Sequence, residues 1–182
     1  MLSVALLGLL SFDPPKLVRT KPAERISILI PKGWREMDAL DFTERYPSVR
    51  APLAGYSDYD RLMDFSVNIS ATQWPDANVA LAQRFFKAAL YNSFDRVDMI
   101  KEGVREIKGQ DYIYFEFEST IKGDRKELGQ QESIMKYSYI QYLVTPGRTL
   151  VFSFHCPRRY RMEWQETALE MMEGVRVKKY KQ

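Results

Sequence analysis

From Met63 to Thr72 the chain alternates without a break. Met63, Phe65, Val67, Ile69 and Ala71 fall on one side, and Asp64, Ser66, Asn68, Ser70 and Thr72 on the other. A helix would scatter these residues around its axis, whereas a strand sends successive side chains to opposite faces. The pattern predicts a strand over Met63 to Trp74 with one apolar face on a core, as antiparallel sheets provide. The same period returns between Asp111 and Ile121. There Ile113, Phe115, Phe117 and Ile121 oppose Tyr112, Tyr114, Glu116 and Glu118. Lys108-Gly109-Gln110 joins this strand to a preceding one, Arg96 to Ile107, with Gly109 supplying the positive φ of the turn.

A second hairpin is predicted from Ser133 to Cys156, turning at Pro146-Gly147. An even-numbered loop there sets Leu143 opposite Leu150, Gln141 opposite Phe152 and Tyr139 opposite Phe154, sharing one face with Cys156. Ser138, Tyr142, Val151 and His155 then occupy the other face. Earlier in the chain, Ile26 to Ile30 is a β-branched strand closed by Pro31-Lys32-Gly33-Trp34, whose indole can fold back over the strand end. Between these strands lie a helical turn around Asp38 to Arg45 and an extended segment from Pro52 to Tyr59. A long helix with Val79, Ala82, Phe86, Ala89 and Leu90 at helical spacing is expected to be capped by Asp76 and to end near Phe94. A last helix, from about Arg158 to Glu173, carries Tyr160, Trp164, Ala168, Met171 and Met172 as its stripe and stops at Gly174. Val175 and Val177 add a short extended segment.

The chain has 182 residues, about the size of one domain with one sizeable core. We assign residues 16–182 to that domain and residues 1–15 to an apolar segment and linker. Leu2 to Leu10 is uninterrupted and apolar, too short for a bilayer span but of the length of a secretory h-region. Export to the periplasm or beyond is the expectation it raises; an element tucked onto the core is the alternative. With 27 basic against 24 acidic residues, the charge is mixed along the chain rather than gathered into a stripe that could track phosphates. Arg158, Arg159 and Arg161 form one small basic cluster, and Arg176, Lys178, Lys179 and Lys181 another; both read as solvated charge rather than a nucleic-acid site. A single cysteine excludes an intrachain disulfide, and a single histidine excludes a Cys/His zinc site within one chain.

The order of elements, with Ile28-Leu29-Ile30-Pro31-Lys32-Gly33-Trp34, the Lys108-Gly109-Gln110 turn and Leu150 to Pro157 leading into the last helix, resembles the PsbP-like family. That family includes photosystem accessory subunits, a Ran-binding nuclear import factor and bacterial envelope proteins. The resemblance covers about residues 24 to 178. It implies an α+β fold, an antiparallel sheet sandwiched by helices, and mostly non-catalytic roles. It carries no catalytic or metal-binding residues to this chain.

The residues themselves agree with a non-catalytic reading. His155 and Cys156 are adjacent on a strand and so project to opposite faces, which defeats a Cys–His nucleophile. No spacing signals a serine converging on His155. The acidic residues Glu116 and Glu118, and Asp58, Asp60 and Asp64, read as solubilising charge rather than a glycosidase pair. No phosphate loop, dinucleotide fingerprint or other cofactor motif is present. The candidate partner surface is the polar strip Tyr112, Tyr114 and Glu116, with Tyr142 and His155 expected on the same side of the sheet; tyrosine offers area and a hydroxyl at low entropic cost. A helix covering that strip would turn it into core. The overall reading is an accessory or partner-binding domain of the bacterial envelope, with another protein as its partner. Small apolar-ligand binding between sheet and helices is the alternative, and a hydrolase with a dispersed carboxylate pair the next.

Overall fold

The structure, a computed structural model, describes residues 13–45, 51–122 and 133–179. The Leu2–Leu10 run, the charged loop with Gly123 and Gly129, and Lys181 lie outside these residues. Two antiparallel sheets form the framework. The larger has seven strands in the order β3-β4-β5-β9-β8-β7-β6. They are β3 (Arg35–Glu36), β4 (Ala54–Ser57), β5 (Asp64–Ile69), β6 (Arg96–Glu106), β7 (Asp111–Ile121), β8 (Ile134–Thr145) and β9 (Arg148–Pro157). The smaller sheet is β1-β2-β10, from β1 (Leu17–Ala23), β2 (Ile26–Pro31) and β10 (Arg176–Val177). The helices are α1 (Ala39–Arg45), α2 (Val79–Ser93) and α3 (Arg161–Glu173), the last entered through a 3-10 turn at Arg158–Tyr160.

The hairpin registers follow from their turns. Pro146 and Gly147 make a two-residue loop between the Thr145–Arg148 pair, so Leu143 opposes Leu150, Gln141 opposes Phe152 and Tyr139 opposes Phe154 as expected. Gly109 has φ +72° and Gly147 φ +70°, the left-handed region that favours glycine. Each face of the large sheet then packs its own core. On one face Phe65, Tyr137, Phe152 and Phe154 meet Trp164, Ala168 and Met171 of α3 and Ile26, Ile28 and Ile30 of β2. On the other, Ile113, Phe115, Phe117 and Tyr142 meet Ala82, Phe86 and Leu90 of α2. Fully burying one such aromatic or aliphatic side chain contributes about 1.5–3 kcal/mol. Trp34 does fold back: its ring lies 6.4 Å from Phe154 and 5.7 Å from Trp164, joining the end of β2 to the large sheet and α3.

One strand was not anticipated and two expectations are corrected. Leu17–Ala23, which carries no alternation, forms β1, because pairing with β2 satisfies its backbone while its outer edge tolerates charge and Pro22. The cap of α2 is Asn78, whose side chain accepts the Leu81 N–H, and not Asp76. The strand expected over Met63 to Trp74 pairs only from Asp64 to Ile69, and its polar side is not exposed: Ser66 is fully buried. Its neighbour Gly55 explains this, since a Cβ there would meet Phe42 Cε1 of α1 at 2.7 Å. The small helix is fixed at its start by Asp38 and Asp41, each accepting the other's backbone N–H, and by Arg35 on Asp41 at 2.6 Å.

Gly174 ends α3 in a right-handed conformation, so it is there for space rather than for positive φ. A Cβ at this position would sit 2.6 Å from Leu29 Cγ and 2.9 Å from the Glu170 carbonyl oxygen. Gly174→Ala should therefore destabilise by about 1–3 kcal/mol in urea unfolding, and Leu29→Ala in the same chain should recover part of that loss. An unchanged midpoint in Gly174→Ala would show that α3 and β2 are not in this close contact.

Candidate functional site

The polar strip of β7 is core. Tyr112 pairs with Leu143, Tyr114 with Gln141 and Glu116 with Tyr139, so the strip lies on the α3 face. Tyr142 pairs with Ile113 and lies, with His155, on the α2 face. The five residues expected on one side are thus divided between two, and the first three share the face that packs on α3 and the small sheet. Tyr112 is fully buried and Glu116 is 3% exposed. Burial pushes the Tyr112 phenol up to about 12. Tyr114 is half-buried, 6.1 Å from Tyr139, with the Arg105 guanidinium 4.5 Å over its ring.

A buried carboxylate needs hydrogen-bond partners, and α3 supplies them. Glu116 accepts from Tyr137 Oη at 3.0 Å and from Gln165 Nε2 at 2.5 Å. Glu118 takes Arg158 at 2.7 Å and Arg161 at 2.9 Å. These contacts fasten the helix to the sheet. The one legible trace of this in the sequence is the i, i+4 pair Arg161 and Gln165 beside the apolar stripe of α3, which marks a polar lane facing inward. Two of the other acidic residues are also occupied locally: Asp58 accepts the Met63 N–H, and Asp64 pairs with Arg45 at 3.1 Å. Among the described residues no group of three or more His, Cys, Asp or Glu could hold a metal ion.

His155 and Cys156 point to opposite faces, as alternation requires. Cys156 packs in the α3-side core, where burial pushes its thiol up to about 12 and leaves it unreactive. His155 has a partner that spacing did not reveal. Ser138 stands opposite it on β8, and Ser138 Oγ lies 2.8 Å from His155 Nδ1; Asp64 stands opposite it on β5. The three residue types of a hydrolytic triad therefore occupy one row across three strands. Ser138 is only 1% exposed, and neither cavity described below is lined by Ser138 or His155. A nucleophile has to reach its substrate, and this hydroxyl is closed in by the sheet.

Accessible concavities lie instead at the two ends of β8 and β9. One, of about 500 Å³, is lined by Met135, Arg158, Arg159, Arg161 and Met162 over Glu118. Met162 is 82% exposed and Met135 46%. Arg158 reaches Met135 Sδ at 3.6 Å, and the Arg159 guanidinium lies 4.8 Å from the Tyr160 ring. The second, of about 990 Å³, opens between the two sheets beside the Lys108-Gly109-Gln110 and Pro146-Gly147 turns. No helix among the described residues is long and apolar enough to cross a membrane.

No protein-family model and no curated protein sequence matches the chain. Solved structures do. Cyanobacterial PsbP (CyanoP) from Synechocystis superposes with a TM-score of 0.60 at 18% identity, over 97% of this chain and 98% of its own. The Saccharomyces cerevisiae Ran-binding protein Mog1p gives a TM-score of 0.57 at 10% identity, over 90% and 96%. LpqN of Mycobacterium tuberculosis, involved in cell envelope biogenesis, gives 0.57 at 12%, over 90% and 91%. The fold is PsbP-like. Identities this low establish architecture and leave function to the residues.

The environment of His155 has a measurable consequence. Burial holds its imidazole below the usual 6.5, Asp64 pulls the other way, and Lys136 adds to the depression. Between the folded value and 6.5 the unfolded chain binds a proton that the folded chain does not. Stability should therefore be full above pH 6.5 and fall as the pH drops through that window. His155→Gln should flatten the urea-unfolding free energy between pH 7.5 and 5.5; an equal or steeper slope in the variant would contradict this placement.

Proposed function

We propose that this PsbP-like chain is a non-catalytic accessory domain that binds another protein, and that the methionine–arginine surface at the start of α3 is where it does so. The observation that carries this reading is the exposure of Met162 beside Met135 and three arginines. Methionine is flexible and polarisable, which suits an adaptable contact, and arginine is enriched where proteins meet. Arg158 and Arg161 are already held by Glu118, so less side-chain freedom is lost when a partner docks. The excess of positive charge favours a partner segment that is apolar and acidic. Glu116 serves this surface from beneath, by holding Gln165 of α3 on the sheet.

Two further points support the reading. The side chains with chemistry to offer, Ser138, Cys156 and Glu116, are enclosed in the sheet. Mog1p, which has this fold, is a Ran-binding protein. An envelope setting belongs to the same proposal, supported by the apolar Leu2–Leu10 run and by the fold shared with LpqN. The hydrolase alternative needs a free carboxylate pair, and Glu116 and Glu118, the pair first considered for it, are held by Tyr137, Gln165, Arg158 and Arg161.

A photo-crosslinking residue placed at Met162 should capture one protein in cells that the same residue at Tyr59, 90% exposed elsewhere on the surface, does not. Met162→Asp with Arg159→Glu should reduce that protein's retention at least tenfold without moving the thermal midpoint. Equal capture from both positions, or unchanged retention by the double variant, would overturn the surface. For the compartment, N-terminal sequencing of the protein isolated from cells should begin between Ser11 and Pro15. An intact Met1 in a cytoplasmic fraction would contradict export.

A further inference from the structure

The larger cleft lies at the far end of β8 from the methionine–arginine surface. Ten residues separate Met135 from Thr145, about 33 Å along an extended strand. Its floor is apolar: Ile26 from β2, Leu143 and Leu150 from the large sheet, and Val177 from β10. All four line the gap between the two sheets. At about 990 Å³ the cleft is at the upper end of the range of small-molecule sites, about 300–1,000 Å³.

The rim is of a different character. Arg25, Arg148, Lys178 and Lys179 surround the mouth, against two acidic residues, Glu24 and Asp111. The cations come from three places in the chain: the β1–β2 turn, the start of β9 and the segment after β10. Backbone bonds hold that segment in place. Lys178 N–H donates to the Arg25 carbonyl at 2.9 Å, and the Arg25 guanidinium donates to the Lys179 carbonyl at 3.1 Å. Lys179 Nζ donates to the Gly109 carbonyl at 3.0 Å, which occupies one of its three donors. The positive rim is therefore set before anything binds, and it lies at one end of a hydrocarbon floor. A neutral lipid offers this rim no counter-charge, and a small anion would leave the floor uncovered.

We propose that this cleft binds a single-chain anionic amphiphile. Its tail lies on Ile26, Leu143, Leu150 and Val177, and its head group among Arg25, Arg148, Lys178 and Lys179. The site is separate from the methionine–arginine surface and stands or falls without it.

The test is a calorimetric titration of the full chain with dodecanoate below its micelle concentration, with amide shifts recorded in parallel. Saturable one-to-one binding is expected, with shifts at the floor residues. Butanoate, which lacks the tail, and 1-dodecanol, which lacks the charge, should each bind at least tenfold more weakly. Lys178→Glu with Lys179→Glu should weaken dodecanoate at least tenfold and leave 1-dodecanol unchanged; both positions are exposed, and an unaltered thermal midpoint confirms folding. Failure of dodecanoate to saturate, shifts confined to other parts of the chain, or equal affinity in the double variant would overturn the site. Parity with butanoate would refute the tail assignment, and parity with 1-dodecanol the head-group assignment.

Discussion

The central strands β8 and β9 are covered on both faces, and most of the structure's peculiarities follow from that. In a sheet wetted on one side, polar residues on the outer face are satisfied by water. Here α3 and the small sheet cover one face and α2 covers the other, so polar side chains near the middle must find partners inside. Glu116 takes Tyr137 and Gln165, Ser138 takes His155, and Gln141 donates to the Met172 carbonyl at 3.2 Å. An unmet polar group in such a place costs about 1–3 kcal/mol. The arrangement of these pairs therefore fixes where α3 can sit as firmly as its apolar stripe does.

The same enclosure separates chemistry from access. A serine, a histidine and an aspartate share one row, yet the hydroxyl lies inside the sheet. The thiol of Cys156 is buried among aromatic rings and held protonated. What reaches solvent lies at the ends of the strands, where the layers diverge: methionines and arginines at one end, and a hydrocarbon cleft with a cationic rim at the other. The two ends share the rigid sheet between them and few other features, so each can change in sequence without disturbing the other.

How much of this was legible in the chain depends on the element. Period two marked β5 and β7, and helical spacing marked α2 and α3, because each buries a continuous apolar face that leaves its repeat in the sequence. The turn at Pro146-Gly147 fixed the partners of β8 and β9 residue by residue, since a two-residue loop allows one register. β1 left no such trace, because an edge strand gains its stability from its neighbour's backbone. The cap of α2 was misplaced by two residues, since both Asp76 and Asn78 can accept a backbone N–H and only the path of the chain selects between them.

The facing of the five candidate residues was misread for a reason that is purely geometric. Residues 122–133 join β7 to β8, and their number does not determine which residue of one strand meets which residue of the other. A shift by one exchanges the faces. Only the assembled sheet decided that Tyr112 meets Leu143, which sends the tyrosine strip under α3 and leaves Tyr142 and His155 on the far side. Likewise, nothing local brings Arg25, Arg148 and Lys178 to one rim, or Met135 beside Met162. Alternation and short turns are properties of neighbours in the chain, and the sequence by itself determined those: the strands with an apolar repeat, the two long helices, the hairpin at Pro146-Gly147 and the separation of His155 from Cys156. Which polar face is buried, and which distant side chains share a surface, depend on how the layers stack, and that is decided only when the whole chain has folded.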